Sequence, residues 1–170
     1  MEQKQSAMIG IIDYGLGNLF SLEKALKRSD ISYIVSSDRD QLASCDRYIL
    51  SGVGHFRYGM QQLESKQLIP FIKESCVTAK KPLLGICLGM QLLGRCSEEG
   101  NVEGLGVING DVTKLKVDLP FKIPHIGWNT LSKIKQSNLL PNPDQNTSYY
   151  FTHGFAYQSN CDDAVSMTQY

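Results

Sequence analysis

Short apolar runs and amphipathic stretches alternate along the first half of the chain. An apolar run at residues 8–13 ends in a glycine-rich turn, and apolar residues at helical spacing follow at residues 19–28. The same order recurs three more times. The predicted strands are residues 8–13, 33–35, 47–50 and 82–86. The predicted helices are residues 19–28, a short helix that begins near Asp40, residues 60–63 and 68–79, and residues 90–95. The helical stretch at 68–79 is expected to be interrupted at Pro70. This alternation predicts an α/β fold with a mainly parallel sheet flanked by helices.

The pattern changes after Glu99. Glycines divide the second half into short β-like pieces, and the residues at 112–117, 149–151 and 164–167 read as strands around a polar loop at 141–147. The second half is therefore predicted to be β-rich and to cover or extend the first sheet. The sequence contains no internal repeat or linker, so residues 1–170 are expected to form a single domain.

Composition narrows the possible functions. The chain has 170 residues, 17 basic against 17 acidic, so its net charge of zero argues against binding to nucleic acid or to an anionic membrane. No apolar run approaches the roughly 20 residues that cross a bilayer. The N-terminus has no signal-peptide pattern, so the expected location is cytoplasmic. Five cysteines, without a C-x-x-C pair, predict neither a metal site nor a cofactor.

The strongest chemical motif is Gly85-Ile86-Cys87-Leu88-Gly89, which stands between a predicted strand and a predicted helix. A nucleophile elbow has this form, because glycines permit a tight turn that exposes the nucleophile. The helix that follows points its first amides at the sulfur, which favours a thiolate and can hold an oxyanion. The alternative interpretation is an inert cysteine at the end of a core strand. The other four cysteines have no such context and are expected to be structural.

Two glycine turns and three histidines complete the candidate set. Ser51-Gly52-Val53-Gly54 also follows a strand, so it is expected to share a crevice with Cys87 and to present backbone N–H groups to an oxyanion. Gly15-Leu16-Gly17-Asn18 fails the dinucleotide spacing and is expected to be a tight turn whose Asn18 caps the next helix. None of the histidines, His55, His125 and His153, has a neighbouring carboxylate that marks it as a general base for Cys87.

These segments resemble the class I (triad) glutamine amidotransferases, whose fold is flavodoxin-like. The resemblance is carried by two segments: the elbow together with Met90-Gln91 after it, and the glycine loop together with His55-Phe56 after it. Three further segments, at 13–18, 124–129 and 150–153, are similar to HisH, the family of glutaminase subunits of imidazole glycerol phosphate synthase. The similarity runs from about Met8 to Tyr170.

The resemblance implies a mechanism and a set of roles. Cys87 would attack the side-chain amide of glutamine, and Gly52, Val53, Gly54 and Leu88 would form the oxyanion hole. Gln91, Glu99 and His153 would bind the substrate. Ammonia would pass to a HisF-type (βα)8 cyclase in a heterodimer, with Asn18 and Trp128 at the interface.

The sequence departs from the family pattern in three ways. The family's base and its orienter lie in a His-Pro-Glu motif that these 170 residues do not contain, so the domain is expected to be incomplete at its C-terminus. Ser51 replaces the usual proline of the oxyanion loop, and Gly154-Phe155 replaces a hydroxyl-bearing pair after His153. Two alternatives follow: a HisH-like amidotransferase that makes acetamidino groups on surface sugars, and a non-catalytic scaffold that binds the barrel partner.

Overall fold

Strands and helices alternate through the first 92 residues. The computed structural model describes residues 7–140, 147–158 and 161–170. In chain order the elements of this half are β1 (Ile9–Ile12), α1 (Leu19–Arg28), β2 (Tyr33–Ser36), α2 (Arg39–Ala43), β3 (Arg47–Gly52), α3 (Phe56–Ser65), α4 (Leu68–Ile72), a π-helical segment (Lys73–Thr78), β4 (Leu83–Cys87) and α5 (Leu88–Leu92).

Four of these strands form one parallel sheet in the order β2-β1-β3-β4. This order matches the beginning of a flavodoxin-like sheet, and it confirms the predicted α/β fold class. Because all four strands are parallel, their carboxyl ends lie along one edge, where the turn after β1, the end of β3 and the end of β4 come together.

Hydrophobic cores lie on both faces of the sheet. On one face, Ile11 and Ile49 pack with Leu26 of α1. On the other face, Ile12 and Leu50 pack with side chains from the remaining helices, including Phe56, Leu63, Leu68, Ile72, Leu88 and Leu92. Successive strand residues point to opposite faces, so neighbours such as Ile11 and Ile12 enter different cores. The sheet is therefore covered by helices on both sides, as predicted.

The second half is built from short strands, which confirms the predicted β-rich texture. A four-stranded sheet has the order β11-β7-β5-β6, β8 pairs with β10 and β9 pairs with β12. The bounds are β5 (Cys96–Ser97), β6 (Val102–Glu103), β7 (Asp111–Lys114), β8 (His125–Thr130), β9 (Ser132–Lys133), β10 (Ser148–His153), β11 (Phe155–Tyr157) and β12 (Ser166–Met167). Most of the polar loop predicted at 141–147 lies outside the described residues.

Helix α2 begins at Arg39, so Asp40 lies near its N-terminus as predicted, and Asp38 caps the helix by accepting the backbone N–H groups of Asp40 and Gln41. Two sequence predictions need correction. Pro70 does not interrupt a helix: it is the third residue of α4, where a missing N–H removes no intrahelical hydrogen bond. Strand β8 was not predicted, because Gly127, with a φ of +146°, breaks the apolar alternation.

Candidate active site at the carboxyl edge of the sheet

Cys87 lies at a sharp turn between a strand and a helix. It is the last residue of β4 and directly precedes α5. Its φ of +54° and ψ of −118° form a backbone conformation that non-glycine residues rarely adopt. The residue is exposed to solvent. The predicted strand–turn–helix elbow is therefore confirmed, and the surrounding fold holds its central cysteine in a strained, accessible position.

Two glycines allow this elbow to form. A Cβ atom on Gly85 would lie 2.5 Å from the Met90 Cα and 2.8 Å from the Met90 nitrogen, which is closer than real Cβ atoms approach. A Cβ atom on Gly89 would overlap the backbone carbonyl group of Leu50 in β3. Helix α5 thus packs directly on the backbone of the neighbouring strand, and only glycine permits that distance.

The predicted oxyanion loop lies beside Cys87. The parallel pairing of β3 with β4 puts Gly52 directly opposite Cys87. Gly52 is buried at the end of its strand, whereas Val53 is 56% exposed, and Gly54 has a φ of +113° with open space around it. The loop therefore leaves the sheet at the level of Cys87, which confirms that the two lie side by side. The role of Gly52, Val53, Gly54 and Leu88 as an oxyanion hole stays a prediction.

A buried tyrosine that the sequence did not single out packs against the same loop. Tyr14 follows β1 and is 0% exposed, and its phenol oxygen fills the space into which a side chain on Gly52 would project. Among the described residues that oxygen has no hydrogen-bond partner. Burial, and secondarily the charge of Cys87, raise the pKa of Tyr14 well above its ordinary value. The phenol is therefore protonated at neutral pH. In the sequence, the only signal that Tyr14 lies near Cys87 is its position directly after the first predicted strand.

The two polar residues predicted to hold the substrate have structural contacts of their own. The Glu99 carboxylate, on the turn between β5 and β6, accepts the backbone N–H of Phe56 at 2.8 Å through Oε2. Gln91 is 9% exposed, and its side-chain NH2 group donates to the Phe155 carbonyl at 2.9 Å, which ties α5 to β11. Their contacts with glutamine stay a prediction.

The structure gives each histidine a place in the packing. His55 caps α3, because its Nδ1 accepts the Arg57 backbone N–H at 3.2 Å. His125 is buried and its pKa is lowered, first by burial and then by His153. Nδ1 of His153 lies 3.0 Å from the Phe155 carbonyl oxygen. Across residues 7–140, 147–158 and 161–170, no histidine hydrogen-bonds to Cys87.

The two residues predicted at a partner interface are both exposed. Asn18 accepts the Ser21 backbone N–H at 3.1 Å, which confirms that it caps α1. Trp128 is 71% exposed on β8, and its ring lies edge-on to Tyr150, 5.6 Å away on the paired strand. Ile126, two residues earlier, is 58% exposed on the same face of this strand pair. That these residues contact a partner stays a prediction.

The remaining cysteines differ from Cys87 in their surroundings. Burial raises the pKa of Cys76 to about 11 and also raises that of Cys45. Such thiols carry little thiolate at neutral pH. Within the described part of the chain, no group of three His, Cys, Asp or Glu side chains could hold a metal ion. No helix described there is long and apolar enough to cross a membrane.

Comparison with known proteins places this crevice in a family. The family model "Glutamine amidotransferase class-I" matches residues 10–169. The chain belongs to the class I glutamine amidotransferases. Within that family it is 43% identical over 162 residues to the imidazole glycerol phosphate synthase subunit HisH of Prochlorococcus marinus, covering 95% of this chain and 76% of the relative. It is 49% identical over 153 residues to the HisH subunit of Bacillus licheniformis, covering 87% and 71% respectively. The resemblance to HisH is thereby confirmed.

Solved structures support the same fold. A crystal structure of a glutamine amidotransferase superimposes with a TM-score of 0.70 at 15% identity, covering 93% of this chain and 78% of the other. The crystal structure of a glutamine amidotransferase from Thermotoga maritima gives a TM-score of 0.61 at 18% identity, covering 92% and 64% respectively. These similarities concern the fold alone and agree with the class I glutamine amidotransferase architecture.

Proposed function

We propose that this amidotransferase is the glutaminase subunit of an imidazole glycerol phosphate synthase, acting in histidine biosynthesis. The observation that carries the proposal is the strained, exposed Cys87 directly opposite Gly52 at the carboxyl edge of the sheet. The similarity to HisH subunits over most of the chain supplies the reaction and the pathway. The whole chain is assigned to a single type 1 glutamine amidotransferase domain.

The chemistry begins with attack of the Cys87 sulfur on the side-chain carbonyl carbon of glutamine. The carbonyl oxygen gains negative charge, and N–H groups of Gly52, Val53, Gly54 and Leu88 are proposed to hold it. The C–N bond then breaks, and the nitrogen leaves as ammonia after receiving the proton that the Cys87 thiol gave up. The resulting glutamyl thioester is cleaved by water, which releases glutamate and restores the thiol.

Substrate recognition is assigned to three residues around the crevice. The Glu99 carboxylate suits the α-ammonium group of glutamine, because charge-assisted hydrogen bonds are the strongest available to an ammonium. Gln91 and His153 complete the contacts with the glutamine backbone groups. Both already hydrogen-bond to the Phe155 carbonyl, so their side chains are held in place before the substrate arrives.

Ammonia is proposed to pass directly to a HisF-type (βα)8 cyclase, which uses it to form imidazole glycerol phosphate and an aminoimidazole carboxamide ribotide. The two proteins form a cytoplasmic heterodimer whose combined reaction includes a lyase step. The exposed Trp128 and the exposed cap residue Asn18 are the proposed contacts with the cyclase.

Covalent labelling tests the proposal. The protein is incubated with a glutamine analogue that carries an electrophilic carbon in place of the side-chain amide, with and without the cyclase, and the labelled residue is found by peptide mass spectrometry. We expect one label at Cys87, its loss in Cys87→Ser, and its retention in the matched control Cys76→Ser. Absence of label at Cys87 with the cyclase present would identify the non-catalytic scaffold instead. The substrate that the partner accepts separates histidine biosynthesis from surface-sugar synthesis.

A further inference from the structure

The oxyanion loop is anchored at both of its ends. On one side Ser51 and Gly52 are buried in the sheet, and on the other side Phe56, the first residue of α3, is 0% exposed. The three residues between these anchors, 53–55, are all exposed. The orientation of the loop N–H groups therefore depends on how firmly each end is held.

The second anchor is fixed by a turn that is distant in sequence. Glu99 Oε2 accepts the Phe56 N–H at 2.8 Å, across 43 positions of the chain. Next to it, the Arg57 guanidinium donates to the Gly100 carbonyl, at 3.0 Å from Nε. The turn between β5 and β6 thus holds the first two residues of α3 through two adjacent contacts.

The Glu99 carboxylate has capacity for a second ligand. An ionised carboxylate has two oxygens and about four acceptor positions. In the described part of the chain, the Phe56 N–H is its only hydrogen-bond donor. Glu99 is half-buried, so part of the residue remains open to solvent.

We propose that Glu99 is a positioning residue for the oxyanion loop as well as the anchor for the ammonium of glutamine. The role of Glu99 in binding the ammonium rests on the proposed function. Its role in positioning the loop rests on the contact with Phe56 in the structure. One carboxylate conformation serves both partners, so holding Phe56 pre-orders the oxygen that receives the ammonium. By reciprocity, a bound ammonium stabilises the contact with Phe56. Occupancy by substrate is thereby transmitted to the amides that stabilise the oxyanion.

Two variants separate the two roles. Glu99→Gln keeps a side-chain oxygen that can accept the Phe56 N–H but removes the charge that attracts an ammonium. Glu99→Ala removes both. The matched control is Glu98→Ala, because Glu98 stands on the same turn but its carboxylate accepts the Lys114 N–H, at 2.8 Å, rather than a residue of α3.

Two electrophiles without an ammonium group provide the readout. p-Nitrophenyl acetate acylates Cys87 through a tetrahedral oxyanion and depends on the loop, whereas iodoacetamide alkylates the sulfur by direct displacement and does not. Rates at Cys87 are measured by peptide mass spectrometry. In Glu99→Ala we expect acylation to fall by about tenfold or more, since losing one oxyanion donor costs about 10²–10³-fold, with alkylation unchanged. Glu98→Ala should acylate within about twofold of the parent protein, and Glu99→Gln should acylate faster than Glu99→Ala.

Hydrogen exchange at residues 51–57 gives an independent measurement. Loss of one capping hydrogen bond is expected to speed exchange at Phe56 by about fivefold in Glu99→Ala and by less than twofold in Glu99→Gln. Equal acylation in Glu99→Ala and Glu99→Gln, or equal loss of acylation and alkylation in Glu99→Ala, would overturn the inference. A protein that acylates normally but never hydrolyses glutamine with the cyclase present would refute the proposed function. The acylation rates of the variants would still test the contact between Glu99 and Phe56.

Discussion

The phenol oxygen of Tyr14 packs against Gly52, in the space where any other residue would carry its Cβ atom. On the same side, the Leu88 Cβ is 3.2 Å from that position. Gly52 is therefore enclosed between the turn after β1 and the first residue of α5. The size of the residue at position 52 controls the separation of β3 from the elbow.

Gly52→Ala should consequently destabilise the fold and displace the loop. The added methyl group overlaps the Tyr14 oxygen, and overpacking of this kind costs about 1–3 kcal/mol. Urea denaturation measures the change in the free energy of unfolding, and acylation of Cys87 measures the displacement. The double variant Gly52→Ala/Tyr14→Phe should recover part of both losses. Since Tyr14→Phe alone is expected to add stability, a double variant whose change in unfolding free energy equals the sum of the two single changes would show that the overlap is absent.

The buried Tyr14 and the half-buried Tyr157 should respond in opposite ways to loss of their hydroxyl groups. Tyr157 donates to the Met90 carbonyl at 2.8 Å, whereas the Tyr14 hydroxyl has no partner among the described residues. Tyr157→Phe should lower the free energy of unfolding by about 1 kcal/mol, and Tyr14→Phe should raise it by about the same amount. Equal losses in the two variants, measured by urea denaturation at pH 8, would contradict the difference in their hydrogen bonding.

The same tyrosines predict a loss of stability in alkali. Burial raises the folded-state pKa of Tyr14 and of Tyr157 above the unfolded value of about 10. Their contribution is fully present below pH 10 and is lost as the pH rises toward the folded pKa. Unfolding free energy should therefore fall above pH 10, by up to about 1.4 kcal/mol per pH unit for each tyrosine. Urea denaturation at several alkaline pH values should give a shallower fall in Tyr14→Phe than in the parent protein.

Backbone strain at Cys87 predicts an unusual order of stability among its variants. The φ of +54° with a ψ of −118° is available to glycine without a steric cost. Cys87→Gly should therefore be more stable than Cys87→Ala by about 1–3 kcal/mol, although both lack the nucleophile. Thermal and urea denaturation provide the comparison. An alanine variant as stable as the glycine variant would show that the turn relaxes once the sulfur is removed.

Trp128 offers a direct measure of partner binding, because it is the one tryptophan in the sequence. Its side chain is 71% exposed, so burial against the cyclase should shift its fluorescence emission to shorter wavelength. Trp128→Ala should weaken the complex by at least tenfold, with little change in folding stability. Val77→Ala, which truncates a 52%-exposed side chain on the π-helical segment, is the control for general surface effects. An unchanged emission spectrum in the complex would place the interface elsewhere.

Sequence patterns identified the first half well because its signals are local. Helix α1 has the predicted bounds, and its cap Asn18 and its helical spacing lie within a dozen residues of one another. The elbow was also recognisable, since strand, glycines and cysteine are contiguous. Contacts between distant segments cannot be recognised from local patterns. Glu99 accepts a hydrogen bond from Phe56 across 43 residues, and Tyr14 contacts Gly52 only because β1 and β3 pair.

Two errors have equally physical causes. The sequence predicts a helix break at Pro70, but the effect of a proline depends on its distance from the start of the helix, which the sequence does not state. Strand β8 was missed because Gly127 removes a side chain from the middle of its pattern. Its pairing with β10 makes it a strand, with Trp128 opposite Tyr150. Pairing with a distant strand, rather than local propensity, thus determines that residues 125–130 form a strand.

The parallel pairing of β3 with β4 also has a consequence for the order in which the protein is assembled on the ribosome. Tyr14, Gly52 and Cys87 all precede residue 93, within the part of the chain that holds the four-stranded sheet and α5. These residues are translated before the β-rich half. The chemical reactivity of the Cys87 sulfur in a nascent chain would therefore report whether the central strands have paired once these residues have left the ribosome.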